Sequence, residues 1–158
     1  MGARAAGSVG RSASCGLRGV FLYVLLAVGS GLVVGAGVSL RPDPRGHGTH
    51  EQLGLPPCLT ASVFGYPCPL CGFTTALANM ARLRVGDALF ACPFGALVFV
   101  GACAVLAWTL VALGTRRPPT RVFAVLKSPW CWGGLVAAYF GSWAFNILAV
   151  VTGIKAMR

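Results

Sequence analysis

Charged side chains, and acidic ones above all, are scarce in this chain of 158 residues. Charged residues make up 10 % of the sequence, and the three acidic ones are Asp43, Glu51 and Asp87. So few carboxylates leave little material for catalysis by paired acids and bases. The sequence also lacks a Gly-rich phosphate loop, a nucleophile elbow and any carboxylate or lysine within a long apolar run. These absences argue against a pump or transporter and do not favour an enzyme.

Apolar residues, by contrast, are abundant and lie in long runs. They form 56 % of the chain, and the mean hydropathy is +0.77. A helix needs about 20 apolar residues to cross the core of a bilayer. Residues 20–40, 93–113 and 132–152 meet this length without a charged side chain. We therefore predict an all-α membrane protein with three transmembrane helices.

Composition divides the chain into two parts. Residues 1–16 are mostly Gly, Ala, Ser and Arg, which predicts a disordered basic tail. Residues 17–158 are predicted to form a single integral membrane domain, in which residues 41–87 make a cysteine-bearing loop and a short helix. Val34-Gly35-Ala36 resembles a signal-peptidase site, but the long first apolar run favours an uncleaved anchor.

The net charge of +10 comes from 13 Lys and Arg residues. They are spread over flanks and loops without interleaved aromatics, so we expect the lipid bilayer and no nucleic acid as a partner. The N-terminal tail and the short loop 116–127 carry the densest basic charge, which favours a cytoplasmic position for both. The loop that bears the cysteines then lies outside the cytoplasm, and the chain is expected in a bacterial inner membrane with its N-terminus inside.

Small residues recur every four positions in the first and third apolar runs. They are Ala27, Gly31 and Gly35 in the first run and Gly133, Ala137 and Gly141 in the third. Such stripes let helix backbones approach closely in a membrane. They predict packing of the first span on the third or, alternatively, contact with a membrane-protein partner or a second copy of the chain. Asn146, within the third run, is expected to form a hydrogen bond to a neighbouring helix.

A helical pattern resumes at Pro69 and is expected to end at Gly86. This amphipathic helix is too short to cross a bilayer, so it is predicted to lie at the interface or to enter partway as a re-entrant half-helix. Asp87 is expected to cap the next helix. Ser128 and Pro129 predict a capped start for the third span.

Cys68 and Cys71 form a Cys-x-x-Cys pair at the start of the predicted short helix, where the helix dipole favours a thiolate at Cys68. Cys58 lies ten residues upstream and His50 eight before that. Three interpretations remain open: a metal site, with zinc as the possible ion and these four residues as ligands; a redox dithiol in which Cys68 attacks and Cys71 resolves; and a static disulfide. His47 is expected to be a loop histidine. The remaining cysteines are expected to be small packing residues: Cys15, Cys92, Cys103 and Cys131.

The run from Cys68 to Asp87 resembles a bacterial membrane family called domain of unknown function 2752. That family has a core of Cys-Pro-x-Cys-Gly-x-Thr-Arg, then a short helix, a Gly-Asp pair and an Asn-Pro pair that opens the next membrane helix. The matching residues are Cys68, Pro69, Cys71, Gly72, Thr74, Gly86, Asp87 and Pro93. Thr75 and Cys92 depart from the pattern, because the family has arginine and asparagine at those positions.

The resemblance extends from Gly54 to Val100, and an upstream cysteine like Cys58 is usual in the family. Its activity is unassigned, so the resemblance implies a topology and a site but no reaction. The sequence therefore predicts a membrane protein of unassigned activity with a non-cytoplasmic centre at Cys58, Cys68 and Cys71, either a metal site or a disulfide. The alternatives are a membrane thiol–disulfide oxidoreductase using Cys68 and Cys71, and a structural or assembly subunit that packs through its small-residue stripes.

Overall fold

Three long helices dominate the computed structural model, which describes residues 16–115 and 128–155. They are α1, α5 and α6, with bounds Gly16–Ser39, Pro93–Thr115 and Pro129–Val151. Each is long and apolar enough to cross a membrane, and most of its side chains point away from the rest of the protein. The prediction of three transmembrane helices is confirmed, and the chain is a multi-pass membrane protein. The third helix begins at Pro129 with Ser128 as its N-cap residue, as predicted, but the Ser128 side chain makes no capping hydrogen bond.

Four short helical segments connect α1 to α5. They are a 3₁₀ helix at Thr49–Leu53, α2 at Leu59–Phe64, α3 at Phe73–Met80 and α4 at Val85–Ala91. The predicted tail, Cys15 and the loop 116–127 lie outside the described residues.

The helix predicted from Pro69 to Gly86 is in fact two helices, α3 and α4. The chain turns between them at Leu83, which has a φ of 60°. Gly86 therefore lies inside α4 and does not end a helix. Asp87 lies in the first turn of α4 rather than at its cap, which is Arg84, and the two side chains form an exposed ion pair at 3.6 Å. The carboxylate still acts favourably on the positive end of the helix dipole.

Helix α3 is enclosed by its neighbours instead of lying on a surface. Five consecutive residues are buried, from Thr75 to Asn79, and they include both the apolar and the polar face. The helix contacts α1, α4 and α5. Arg82, just past its end, donates from Nη1 to the carbonyl oxygens of Ala78 (2.8 Å) and Gly37 (3.3 Å), which joins α3 to the last turn of α1.

Close helix packing occurs at two glycines outside the predicted stripes. A Cβ added to Gly37 would lie 2.8 Å from Phe99 Cε2 and 2.9 Å from the carbonyl oxygen of Leu77. One added to Gly95 would lie 2.9 Å from the Cβ of Ala76. These two glycines let α1 and α5 approach α3, because any side chain would separate the backbones.

The predicted stripes face away from these contacts. A Cβ at Gly31, Gly35, Gly133 or Gly141 would meet nothing within 4 Å. Helix α1 contacts α3 and α5, and α6 contacts α5, so the first span does not pack closely on the third. The buried residues of α6 are instead Ser142, Asn146 and Ala149. The alternative, that the stripes contact a membrane-protein partner or a second copy of the chain, stays a prediction.

Candidate thiolate centre

Cys58, Cys68 and Cys71 converge at the end of the bundle where α3 begins. Their Sγ atoms all lie within 4.8 Å of one another. Cys58 immediately precedes α2, whereas Cys68 and Cys71 lie in the turn before α3, in which the N–H of Cys71 donates to the carbonyl oxygen of Cys68 at 2.9 Å. Twelve residues separate Cys58 from Cys71, so the cluster depends on the path of the chain through α2.

Gly72 allows this turn to pack against the rest of the protein. It has a φ of 81° and is the N-cap of α3. A Cβ at this position would lie 2.5 Å from the carbonyl oxygen of Ala91 and 2.7 Å from that of Gly46. Both the backbone conformation and the close contacts require glycine. The cysteine turn is therefore held between the end of α4 and the loop that follows α1.

That loop is fixed by hydrogen bonds to its own residues and to α3. The Thr49 hydroxyl accepts from the N–H of Asp43 at 3.1 Å and lies 2.7 Å from the Thr75 hydroxyl, where one of the two donates. Arg45 pairs with the Asp43 carboxylate at 2.7 Å, and this hydrogen bond holds the pKa of that carboxyl below its usual value despite partial burial. Thr75 thus ties the loop to α3.

Helix α6 closes the other side of the site. The Trp143 indole N–H donates to the carbonyl oxygen of Pro67 at 3.2 Å, immediately before Cys68. Beyond α6, the buried Lys155 ammonium donates to the carbonyl oxygen of Ala91 (2.8 Å) and to the side-chain oxygen of Asn146 (2.9 Å). Asn146 thus bonds to a residue that follows its own helix rather than to a neighbouring helix.

Lys155 also affects the cysteines electrostatically. Burial lowers the pKa of its ammonium, while charge on Cys71 would raise it, and the positive charge in turn favours the thiolate of Cys71. The sequence did not identify Lys155 as a residue of the site, because Lys155 lies after the third apolar run. Its burial results from the packing of α6 beside α4 and α5.

The three thiols differ in acidity. Burial opposes ionisation of Cys58, but hydrogen bonds from the Thr60 hydroxyl, from the backbone of Ala61 and from Cys68 outweigh it and lower its pKa to about 7. Burial raises the pKa of Cys68, and its hydrogen bond to Cys58 raises it further. Burial and then the charges of Cys68 and Cys58 raise the pKa of Cys71 to about 12. Burial and the hydrogen bond to Cys58 thus oppose the thiolate that the helix dipole is expected to favour at Cys68. The role of Cys68 as the attacking thiol stays a prediction.

Both histidines of the loop border a cavity of about 120 Å³ beside the cluster. Cys58 and Cys71 line the same cavity, together with Arg45 and Glu51. His50 Nε2 lies 3.2 Å from the carbonyl oxygen of Pro56. The group of ligand atoms within 4.8 Å of one another contains the three sulfurs and neither histidine. His50 as fourth ligand stays a prediction.

Three of the other cysteines lie within the described residues and do not belong to this group: Cys92, Cys103 and Cys131. Cys92 is fully buried between α4 and α5, with its Sγ 3.4 Å from the Ser142 hydroxyl. It is therefore a packing residue, as the sequence predicts, at the position where the family pattern has asparagine.

A membrane-spanning helix bundle that gathers three cysteines at one end defines the class of this protein. Comparison with family models assigns residues 58–106 to a family described as "Protein of unknown function (DUF2752)". The predicted resemblance is confirmed over this segment, which carries the cysteine cluster and the start of α5. Comparisons with curated proteins and with solved structures give no match.

Proposed function

We propose that this protein holds a thiolate-bound metal ion, with zinc as the best fit, at Cys58, Cys68 and Cys71. The convergence of all three sulfurs within 4.8 Å carries the proposal. Two sulfurs that bind one tetrahedral zinc at about 2.3 Å each lie about 3.8 Å apart. A disulfide would use two of the sulfurs and leave the third without a role, whereas a metal ion uses all three.

The raised pKa values of Cys68 and Cys71 are compatible with such a site. Without a metal these two thiols stay protonated at neutral pH, because burial and neighbouring charge disfavour their thiolates. A divalent cation reverses this balance and displaces the protons as it binds. Metal binding would then join α2 to the turn before α3 and stabilise the end of the bundle.

Metal content of the full chain, purified in mild detergent, tests the proposal. We expect about one zinc ion per chain, lost when Cys58, Cys68 or Cys71 is replaced by serine. Cys103→Ser is the matched control, because Cys103 lies in α5 outside the cluster and should leave the zinc content unchanged. Wild-type protein that binds no zinc, copper or iron after metal supplementation would rule out the metal site.

Thiol–disulfide exchange is a second candidate, favoured by the position of Cys58 beside the cavity and next to the Thr60 hydroxyl at 3.1 Å. The Cys58 thiolate would attack a disulfide of a substrate protein and release one substrate thiolate. Cys68 or Cys71 would then attack the Cys58 sulfur, release the second substrate thiol and leave a disulfide in this chain. The double variant Cys68→Ser, Cys71→Ser should accumulate a mixed disulfide at Cys58. If it traps nothing in cells, the exchange candidate fails.

We further propose that the centre faces the non-cytoplasmic side of a bacterial inner membrane, with the N-terminus inside. Residues 1–19 and the loop 116–127 contribute seven Lys and Arg residues to the opposite side in this orientation, and the loop packs four of them into a short connector. Lys155, which follows α6, supports this orientation. Its contact with Ala91 puts the end of α6 beside the cysteines, as expected if both lie on the same side of the membrane.

Labelling of intact, chelator-treated cells with a membrane-impermeant thiol reagent tests this orientation. Cys58 should react without permeabilisation, whereas Cys15, in the opposite tail, should react only after it. The reverse pattern would place the centre in the cytoplasm.

A further inference from the structure

We propose that His47, through its Nε2 atom, is the fourth ligand of the metal centre. This inference rests on the proposed function and assigns a role to a residue that the sequence pattern marks only as a loop histidine. It also assigns His50, the histidine that the sequence analysis includes among the possible ligands, to the surface of the site.

The imidazole of His47 already has the hydrogen bond typical of a metal ligand. Its Nδ1 lies 3.0 Å from the carbonyl oxygen of Arg45, and because a carbonyl only accepts, Nδ1 carries the proton. The lone pair is then on Nε2, which has no hydrogen-bond partner among the described residues. Histidine ligands of metals commonly donate their other ring N–H to a backbone carbonyl in this way, which sets the tautomer and the ring orientation.

The backbone holds His47 beside Cys71. The carbonyl oxygen of Gly46, the residue before His47, packs on Gly72, the residue after Cys71, where an added Cβ would lie 2.7 Å away. His47, Cys71 and Cys58 line the same cavity. Since the Thr49–Thr75 hydrogen bond ties this loop to α3, the histidine and the cysteine turn form one supported unit.

Burial distinguishes the two histidines. His47 is 8 % exposed and lines the cavity, where coordination would use the lone pair of its Nε2. The hydrogen bond of His50 to Pro56 is exposed, and it leaves only Nδ1 for a metal. Neither ring nitrogen belongs to the group of sulfurs within 4.8 Å of one another. Coordination by either histidine would therefore need its ring to shift toward the sulfurs, and His47 is the buried ring whose second nitrogen has no hydrogen-bond partner among the described residues.

X-ray absorption of the zinc-loaded full chain in detergent tests the inference. The wild type should show three sulfur ligands and the outer-shell scattering of one imidazole. His47→Asn should lose the imidazole signal, because the amide N–H can replace Nδ1–H toward Arg45 while no atom replaces Nε2. Its zinc affinity should fall at least about tenfold, since even second-shell changes cost that much. His50→Asn is the matched control and should keep both the imidazole signal and the affinity.

Two results would overturn the inference while leaving the proposed function intact: an imidazole signal that persists in His47→Asn, or zinc bound by the wild type without any imidazole. Failure of the wild-type protein to bind any zinc would overturn the proposed function itself. His47→Gln provides a second variant, and the helix content and thermal unfolding of the metal-free proteins show whether each variant is folded. A loss of the imidazole signal in folded His47→Asn or His47→Gln, with the signal kept in His50→Asn, supports the assignment.

Discussion

Neighbouring groups make the three thiols of the cluster chemically distinct even though their sulfurs lie within 4.8 Å of one another. Cys58 receives a hydrogen bond from the Thr60 hydroxyl, with 3.1 Å between Sγ and Oγ1, and this bond favours its thiolate. Cys71 is 7 % exposed, so its thiolate loses almost all hydration. At neutral pH the metal-free cluster therefore presents one reactive thiolate, at Cys58, and it faces the cavity.

The pH dependence of alkylation in metal-free protein checks this difference. The rate at Cys58 should rise with pH and reach half its maximum near the pKa of about 7, because the thiolate is the nucleophile, whereas Cys71, with a pKa of about 12, should stay unreactive. Thr60→Val should move the midpoint to higher pH and slow alkylation at pH 7 several-fold, since a hydrogen bond is worth about 1 kcal/mol.

Ser62→Ala is the control for Thr60→Val, because the Ser62 hydroxyl donates to the carbonyl oxygen of Cys58 at 3.0 Å and not to its sulfur. Mass spectrometry of the peptide that contains Cys58 measures the rate. Equal midpoints in Thr60→Val and wild-type protein would show that the hydroxyl does not set the acidity of this thiol.

At the scale of the elements, the site depends on the junction of α3, α4 and α5 rather than on any one helix. The chain leaves α3 at Leu83, forms α4 and becomes extended at Cys92 before Pro93 opens α5. This path returns the carbonyl oxygen of Ala91 to Gly72, and Lys155 binds the same oxygen at 2.8 Å. The short helices are thus a frame that fixes the cysteine turn from both ends.

Two glycines of the family pattern should respond differently to alanine. Gly72→Ala should destabilise the protein by about 1–3 kcal/mol or more, because the Cβ overlaps the carbonyl oxygens of Ala91 and Gly46 and φ is 81°. Gly86→Ala should be neutral or stabilising by up to about 1 kcal/mol, because Gly86 lies in α4 and a Cβ there meets nothing within 4 Å.

Thermal unfolding in detergent, with zinc content as a second measurement, separates the two variants. Gly72→Ala should lower both the midpoint and the zinc content. Equal stability of Gly72→Ala and Gly86→Ala would contradict the close packing of the cysteine turn on α4.

At the scale of the whole molecule, the bundle is open on the side of the glycine stripes. Apolar side chains of α1 such as Val28 and Leu32 are exposed, 54 % and 70 % respectively, as expected for a lipid-facing helix. Lipid and a second protein helix both fit such a surface, but small residues favour a helix because they allow close van der Waals packing. Contact of the stripe of Ala27, Gly31 and Gly35 with a second copy or a membrane-protein partner therefore stays a prediction from the sequence.

Leucine at the two kinds of glycine tests this prediction. Gly31→Leu and Gly35→Leu should leave the zinc content unchanged but weaken chemical cross-linking in membranes, because both positions open outward. Gly37→Leu should instead reduce the zinc content, because Gly37 packs against Phe99 and Leu77 inside the bundle. Two results would contradict an assembly role for the stripe: no cross-linking in wild-type protein, or cross-linking in Gly31→Leu and Gly35→Leu that is as strong as in wild-type protein.

The sequence alone determined the three spans and the residues that make up the thiolate cluster. Apolar runs near 20 residues long can be read directly, because crossing a bilayer depends on length and hydropathy and not on the identity of the neighbours. Cys68 and Cys71 were likewise recognisable from local spacing, with Cys58 nearby. The third span begins at Pro129, as the Ser128-Pro129 pair predicts, although the apolar run itself starts only at residue 132.

Only the tertiary structure decided how these parts meet. The break at Leu83, the packing glycines Gly37 and Gly95, and the burial of Lys155 all depend on contacts between residues far apart in the chain. The same holds for the burial of His47. Spacing cannot reveal such contacts, because they arise when α3 is enclosed and the loop after α1 folds onto Gly72.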